Sequence, residues 1–348
     1  MINNENGGGC MMKKIAFNWV IGSLMIVLLL AGCSNGESAS SEGDGQEYTI
    51  KFAHVVSPST AKGKAAEKFG ELIEKRTDGQ IKVEVYPDSQ LGSDREIIEQ
   101  MQSGTVQMNA PFTGVLPTFV KEFEVFDLPF LFENRDHAFK ATNGKLGDIL
   151  GKKLESQGMH LLGFWDGGFK HLTNSIHPIE TPKDMNQLKM RVSQSPLLIS
   201  QFQAVHAGGV SIDFSELYTA LQTGTVDGQE NPLSNIVSKK FYEVQDYLTL
   251  SSHGYMAYPL VISSKFYQKL PEELQAAVDE VSKEVTEWQW EESKRDEEAY
   301  LKKLNKTDIQ INELSPEQKA AFKDAMSSVY NEFNKLDGSK ELLNAVDQ

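Results

Sequence analysis

From residue 48 onward the apolar positions change period in a regular order. Ile50 to Val55 reads as a buried strand. Ala65, Phe69, Leu72 and Ile73 then recur at helical spacing, and Asp78-Gly79 stops the helix. Ile81, Val83 and Val85 alternate with Lys82, Glu84 and Tyr86, as in a half-buried strand. Strand, helix and strand imply a right-handed parallel βαβ unit. Ser93 and Glu96 form a capping box for a helix carrying Ile97, Ile98 and Met101, and Thr105 to Ala110 is the next expected strand. Near the C-terminus, Pro271 to about Asn305 reads as one long helix, and Ser315-Pro316 opens another. Trp288 and Trp290 cannot share one face of the long helix; one is expected in the core and the other over the surface of a lobe.

Part of this pattern recurs. Gln102-Ser103-Gly104-Thr105-Val106 returns as Gln222-Thr223-Gly224-Thr225-Val226, and Glu96, Ile97 and Met101 match Glu216, Leu217 and Leu221. Ser93 matches Asp213 as the cap, and Asp94 matches Phe214. Each copy reads as cap, helix, glycine stop and strand. The expected fold is therefore α/β, with two similar lobes and a ligand cleft between the carboxyl ends of their strands. Hinge closure would bury a ligand there.

The N-terminus follows a different logic. Lys13 and Lys14 precede an apolar run from Val20 to Leu30, and Leu30-Ala31-Gly32-Cys33 follows. The run is short of the about 20 residues that a membrane span needs. Basic start, apolar stretch and small residues read as a secretory signal. The Cys after Leu-Ala-Gly resembles a bacterial lipobox, so Cys33 is the expected site of lipid attachment. The polar stretch up to Gln46 suits a flexible tether. A lipid-anchored, extracytoplasmic protein of a Gram-positive bacterium is expected. Residues 1–10 resemble a translated ribosome-binding site, with translation starting at Met11 or Met12.

Composition narrows the function classes. The 348 residues carry a formal net charge of -15, which disfavours nucleic acid as a partner. With 40% hydrophobic and 24% charged residues the chain has the balance of a globular protein. Both cysteines, Cys10 and Cys33, lie near the N-terminus, so the body has no disulfide framework and no cysteine metal site. The histidines are scattered; His171 and His177 have no third ligand near them in sequence, and no metal or other cofactor is expected. No nucleophile elbow, zinc-protease motif or phosphate loop occurs. Asp166 and His171 keep no company with a nucleophile, so no enzymatic activity is expected.

Five segments together resemble one family. They are Tyr86 to Gly92 with Asp94-Arg95, Phe126 to Phe132, Leu188 to Val192, Ala220 to Pro232, and Lys240 to Gln245. In this order they resemble the dicarboxylate-binding (DctP-type) solute-binding proteins of tripartite ATP-independent periplasmic (TRAP) transporters. The resemblance runs from Tyr48 to the C-terminus. It implies two α/β lobes with a periplasmic-binding-protein-like arrangement and a long C-terminal helix. It also implies membrane transporter subunits as partners, and a monomer is expected. The implied division is a signal peptide at 1–32, a tether at 33–47, one lobe from 48–167 plus about 257–296, and the other from about 168–256 plus 297–348.

The resemblance also implies ligand-binding residues. Arg191 is the residue that would clamp a ligand carboxylate; a guanidinium is planar, permanently charged and forked. Leu188, Met190 and Val192 alternate inward, which places Arg191 on the opposite side of its strand. Lys170 occupies a position that is often Arg in the family and would supply a point charge. Asn231 is implied in the cleft, or else makes an Asx turn before Pro232. Phe214 would stack on the ligand or belong to the core. Asp94 would accept a ligand hydroxyl or cap its helix. His54 would donate to a second carboxylate, with Lys170 as the other candidate donor, or be structural. Gln194, Tyr258, Thr113 and His253 lie near cleft segments by resemblance. The ligand class implied is a small organic acid, first a C4-dicarboxylate such as malate, succinate or fumarate, with 2-oxo acids and sugar acids as alternatives. A co-receptor role for a sensor kinase is the alternative to transport.

Overall fold

A computed structural model describes residues 46–348. The signal segment, the lipobox with Cys33, most of the tether and residues 1–10 lie outside the described residues. The first strand, β1 (Tyr48–Ala53), pairs in parallel with β2 (Ile81–Tyr86), with Tyr48 opposite Ile81 and Ala53 opposite Tyr86. Helix α1 (Ala61–Arg76) connects them; the Thr60 hydroxyl caps it by accepting from the Gly63 amide. The Ser93–Glu96 capping box opens α2 (Asp94–Ser103), and Gly104 closes it at a left-handed φ of 86°. The strand that follows is shorter than expected. Amides of Thr105 and Val106 are taken by the Gln100 carbonyl at the helix end, leaving only Met108–Asn109 to form β3. The first strand likewise ends at Ala53, so His54 stands just beyond it.

The remaining strands are β4 (Met159–Asn174), β5 (Lys189–Val192), β6 (Gly208–Ser211), β7 (Gly228–Asn231), β8 (Tyr247–Ser263) and β9 (Gln310–Glu313). Eight of them run in the order β2-β1-β3-β8-β4-β7-β5-β6, with β9 beside β8. The order is symmetrical about the antiparallel pair β8–β4: β1 flanked by β2 and β3 at one end matches β5 flanked by β6 and β7 at the other. These ends are lobe I and lobe II, and the long strands β4 and β8 run through both. At Asp166 to Gly168 the β4–β8 ladder slips register.

The sequence repeat is also a repeat of hydrogen bonds. Thr105 N–H donates to Gln100 and Thr225 N–H to Ala220, both at 2.9 Å. Gln107 N–H then reaches Lys51 on β1 as Asp227 N–H reaches Lys189 at the start of β5. Gly104 and Gly224 both take positive φ, the turn-closing conformation that glycine adopts without a Cβ penalty. The caps diverge. Ser93 holds its own helix, whereas Asp213 accepts from the Gln194 side chain, and a 3-10 turn at Phe214–Glu216 precedes the second copy's helix.

The long helix spans Glu272–Leu304. Trp290 is buried, and its indole N–H donates to the Phe164 carbonyl at 2.7 Å. Trp288 lies under Lys68 on α1, with the ammonium 5.3 Å from its ring centre. Lys64 on α1 bridges Glu292 and Asp296 of the same long helix. The helix therefore packs along lobe I and continues to Leu304, which joins the lobe II core around Leu221, Ile236 and Leu248. Ser315 and Gln318 form a second capping box at the start of the helix Pro316–Ala325.

Candidate functional site

The carboxyl ends of β1 and β5 face one cavity between the lobes. Lobe I contributes Val55, Asp94 and Phe112, and lobe II contributes Arg191, Gln194 and Phe214. Asp94 and Phe214, equivalent positions of the repeat, thus face each other across the cleft. An ion pair between Asp88 of lobe I and Lys239 of lobe II, 2.7 Å long, joins the two sides. Lys239 also lies 5.5 Å from the Phe214 ring centre.

Arg191 lies on β5 and is buried. Its Nε donates to the Ile212 carbonyl at 2.8 Å, which fixes the plane of the guanidinium. The Phe214 ring lies 6.0 Å from its central carbon. Among the described residues no carboxylate makes an ion pair with Arg191, so its two terminal nitrogens are uncommitted. Burial draws its pKa down to about 10, with Glu230, Asp213 and Asp94 opposing, so the group stays charged at neutral pH.

The neighbours supply orientation. Gln194 donates to Asp213 and leaves its carbonyl oxygen buried without a partner. Asp94, at the start of α2, has one carboxylate oxygen buried without a partner, and burial raises its pKa. Asn231 lines the cavity, but its amide group donates to Gln229 and its oxygen accepts from Asn235 at 2.8 Å. Tyr258 also lines the cavity, with its hydroxyl 3.0 Å from the Met256 sulfur.

Four of the residues that the resemblance places near the cleft do not line this cavity: Lys170, His253, His54 and Thr113. Lys170 does not line the cavity. It is fully buried and its ammonium lies 2.6 Å from Glu230, whose other oxygen is 2.8 Å from His253 Nε2. Burial alone would raise the Glu230 carboxyl, but Lys170 and His253 outweigh it and hold it down at about 2. His253 is further tied to Ser251 at 2.7 Å and stands outside the cavity wall. His54 does not line the cavity either. Its ring packs edge-on against Phe52, neither ring nitrogen has a partner, and burial with the Lys62 charge nearby lowers its pKa to about 3. A neutral imidazole of that kind is no cationic anchor. Lys170 and His54 are therefore not brought together as a donor pair. Thr113, similarly, is buried behind the wall with an unpartnered hydroxyl.

Residues 52–336 match the family described as bacterial extracellular solute-binding protein, family 7 (DctP). The chain belongs to that family. It is 40% identical over 299 residues to the C4-dicarboxylate-binding periplasmic protein DctP of Rhodobacter capsulatus, covering 85% of this chain and 90% of that one. A TRAP periplasmic solute-binding protein of Sulfurospirillum deleyianum, solved with bound succinate, is 42% identical with a TM-score of 0.83 and coverage of 86% and 98%. The sugar-acid-binding protein DctPAm of Advenella mimigardefordensis, solved with galactonate, is 32% identical with a TM-score of 0.84 and the same coverage. The DctP-type chain is thus a TRAP solute-binding protein with the two-lobed fold that the repeat and the resemblance led one to expect. Such proteins are transport components that take small carboxylates to membrane subunits. Among the described residues no helix is long and apolar enough to cross a membrane.

Sequence reasoning missed Asn235, which lines the cavity, and the buried Lys62 beside it. Lys62 sits in the first turn of α1, where the helix dipole disfavours a cation. That conflict was a usable signal. Asn235 is the amide that fixes Asn231, and nothing in its local sequence marks it.

Proposed function

We propose that this DctP-family protein captures a C4-dicarboxylate, with malate, succinate and fumarate as the candidates, outside the cytoplasm and delivers it to TRAP membrane subunits. The observation that carries the reading is Arg191: a buried guanidinium in the inter-lobe cavity, oriented by Ile212, with no carboxylate paired to it among the described residues. A buried charge without a counter-ion is costly, so an anionic ligand is the natural partner. The relatives from R. capsulatus and S. deleyianum support four carbons and two carboxylates as the ligand class. The test is titration calorimetry with succinate and butyrate, which match in chain length and differ by one carboxylate. Succinate should bind at least about 2.7 kcal/mol more tightly, roughly a hundredfold. Equal affinities would remove the second carboxylate from the reading and leave a monocarboxylate site.

The finer localisation belongs to the same proposal. Acylation at Cys33 would hold the binding body at the outer face of the cell membrane through the polar tether. Cys33→Ser should then yield a protein that binds ligand normally and partitions into the soluble fraction. Firm membrane retention of the Cys33→Ser protein would speak for an uncleaved anchor instead.

A further inference from the structure

Three lysine and arginine side chains are buried among the described residues: Lys62, Lys170 and Arg191. Lys170 has Glu230 as its partner. Arg191 awaits the first ligand carboxylate in the reading above. Lys62, on lobe I, is also without an ion pair among the described residues. Its ammonium donates to the Ala110 carbonyl at 2.6 Å, a contact with a dipole and not with a charge. An ammonium has three donors, so this leaves two without an assigned acceptor.

The position of Lys62 is tied to the cleft. Its ammonium lies 4.0 Å from the ring centre of Tyr258, and Tyr258 forms part of the cleft wall. Lys62 lines a small recess that shares both Tyr258 and Asn235 with the main cavity. The polar atoms around it are also unsatisfied: one oxygen of Asp94 and both ring nitrogens of His54 are buried without hydrogen-bond partners. All three side chains gather where β1 gives way to α1 and where α2 begins, the ligand-facing end of an open parallel sheet. Arg191 therefore lines the cavity from lobe II, and Lys62 of lobe I stands behind its Tyr258 and Asn235 wall; neither cation has an ion pair among the described residues.

We propose that Lys62 holds the second carboxylate of the ligand, so that a dianion is bridged between Arg191 of lobe II and Lys62 of lobe I. The assignment rests on the dicarboxylate reading given above. It moves the second anchor from Lys170, which is committed to Glu230, to the buried lysine that is not committed. It also links recognition to closure, because a ligand charged at both ends neutralises both lobes at once and a monoanion leaves one of them uncompensated. Asp94 then faces the ligand between the two cations, where its free oxygen can accept a ligand hydroxyl. Burial lowers the Lys62 ammonium to about 8, with Asp94 opposing; it is still largely charged at neutral pH.

The rival view is that Lys62 only balances Asp94. Titration of wild type, Lys62→Met and Lys62→Gln with succinate and butyrate separates the two. The glutamine amide can keep the bond to the Ala110 carbonyl and so preserve the fold if methionine does not. In both variants succinate should weaken at least about thirtyfold while butyrate stays within about threefold, so that the preference collapses. If wild type prefers succinate and the variants keep that preference, the Lys62 assignment is overturned and the dicarboxylate reading stands. An equal fall for both acids also overturns it, as the mark of a structural counter-ion. If wild type does not distinguish the acids, the dicarboxylate reading fails and the Lys62 assignment falls with it.

Discussion

Arg191→Ala should weaken succinate binding by about 2–4 kcal/mol, the scale for truncating one side of a buried, hydrogen-bonded charge pair. The loss has two sources. The ligand carboxylate is left desolvated inside the closed cleft, and two directed N–H bonds vanish. Arg191→Lys should also be damaging. An ammonium cannot hold the Ile212 carbonyl through Nε and still present a planar fork to the ligand. Fold stability should change far less than affinity in the alanine variant, because no protein carboxylate depends on Arg191 for an ion pair among the described residues. Calorimetric titration alongside thermal melts checks both statements. Undiminished succinate affinity in a folded Arg191→Ala protein would take Arg191 out of the site.

Much of this site was legible in the sequence because repetition and strand alternation are short-range signals. The segment Leu188 to Val192 has inward Leu188, Met190 and Val192, so the chain had to turn Arg191 to the other side of its strand. The glycine stops at Gly104 and Gly224 revealed two copies of one helix-to-strand unit, and hence two facing lobes. The shared strands β4 and β8 were less legible. They are 16 and 17 residues long, and glycines and register slips break their local pattern and hide their continuity. Burial of single charges was hardest to read. Lys62 and Lys170 are both lysines near polar neighbours in sequence, but what separates them is a contact 60 residues away. Glu230 reaches Lys170 because β7 pairs with β4, a pairing that local sequence cannot announce. Similarly, His54 read as either a donor at the end of a strand or a structural ring, and only its burial, its packing against Phe52 and the Lys62 charge nearby make it a neutral, buried ring.

The Lys170–Glu230 pair leads to the second large effect, and it is one of stability. Lys170→Met should destabilise the fold by about 3–5 kcal/mol, because it leaves the Glu230 carboxylate buried with only His253 to answer it. The cost lies in the orphaned charge and not in the lost attraction, so the double variant Lys170→Met/Glu230→Gln should recover most of the stability. A neutral amide at residue 230 can still bond His253 Nε2 without needing a cation. Urea unfolding of the wild type and the two variants, followed at equilibrium, measures both differences. A single variant as stable as wild type would mean that the carboxylate escapes its penalty by taking up a proton. Binding separates Lys170 from Lys62 by a different readout. With the protein kept folded, Lys170→Met should leave the ratio of succinate to butyrate affinity near the wild-type value, because its ammonium faces Glu230 and not the cavity. A selective loss of succinate in Lys170→Met would mean that the lysine leaves Glu230 for the ligand when the cleft is filled, and the second anchor would then lie on β4.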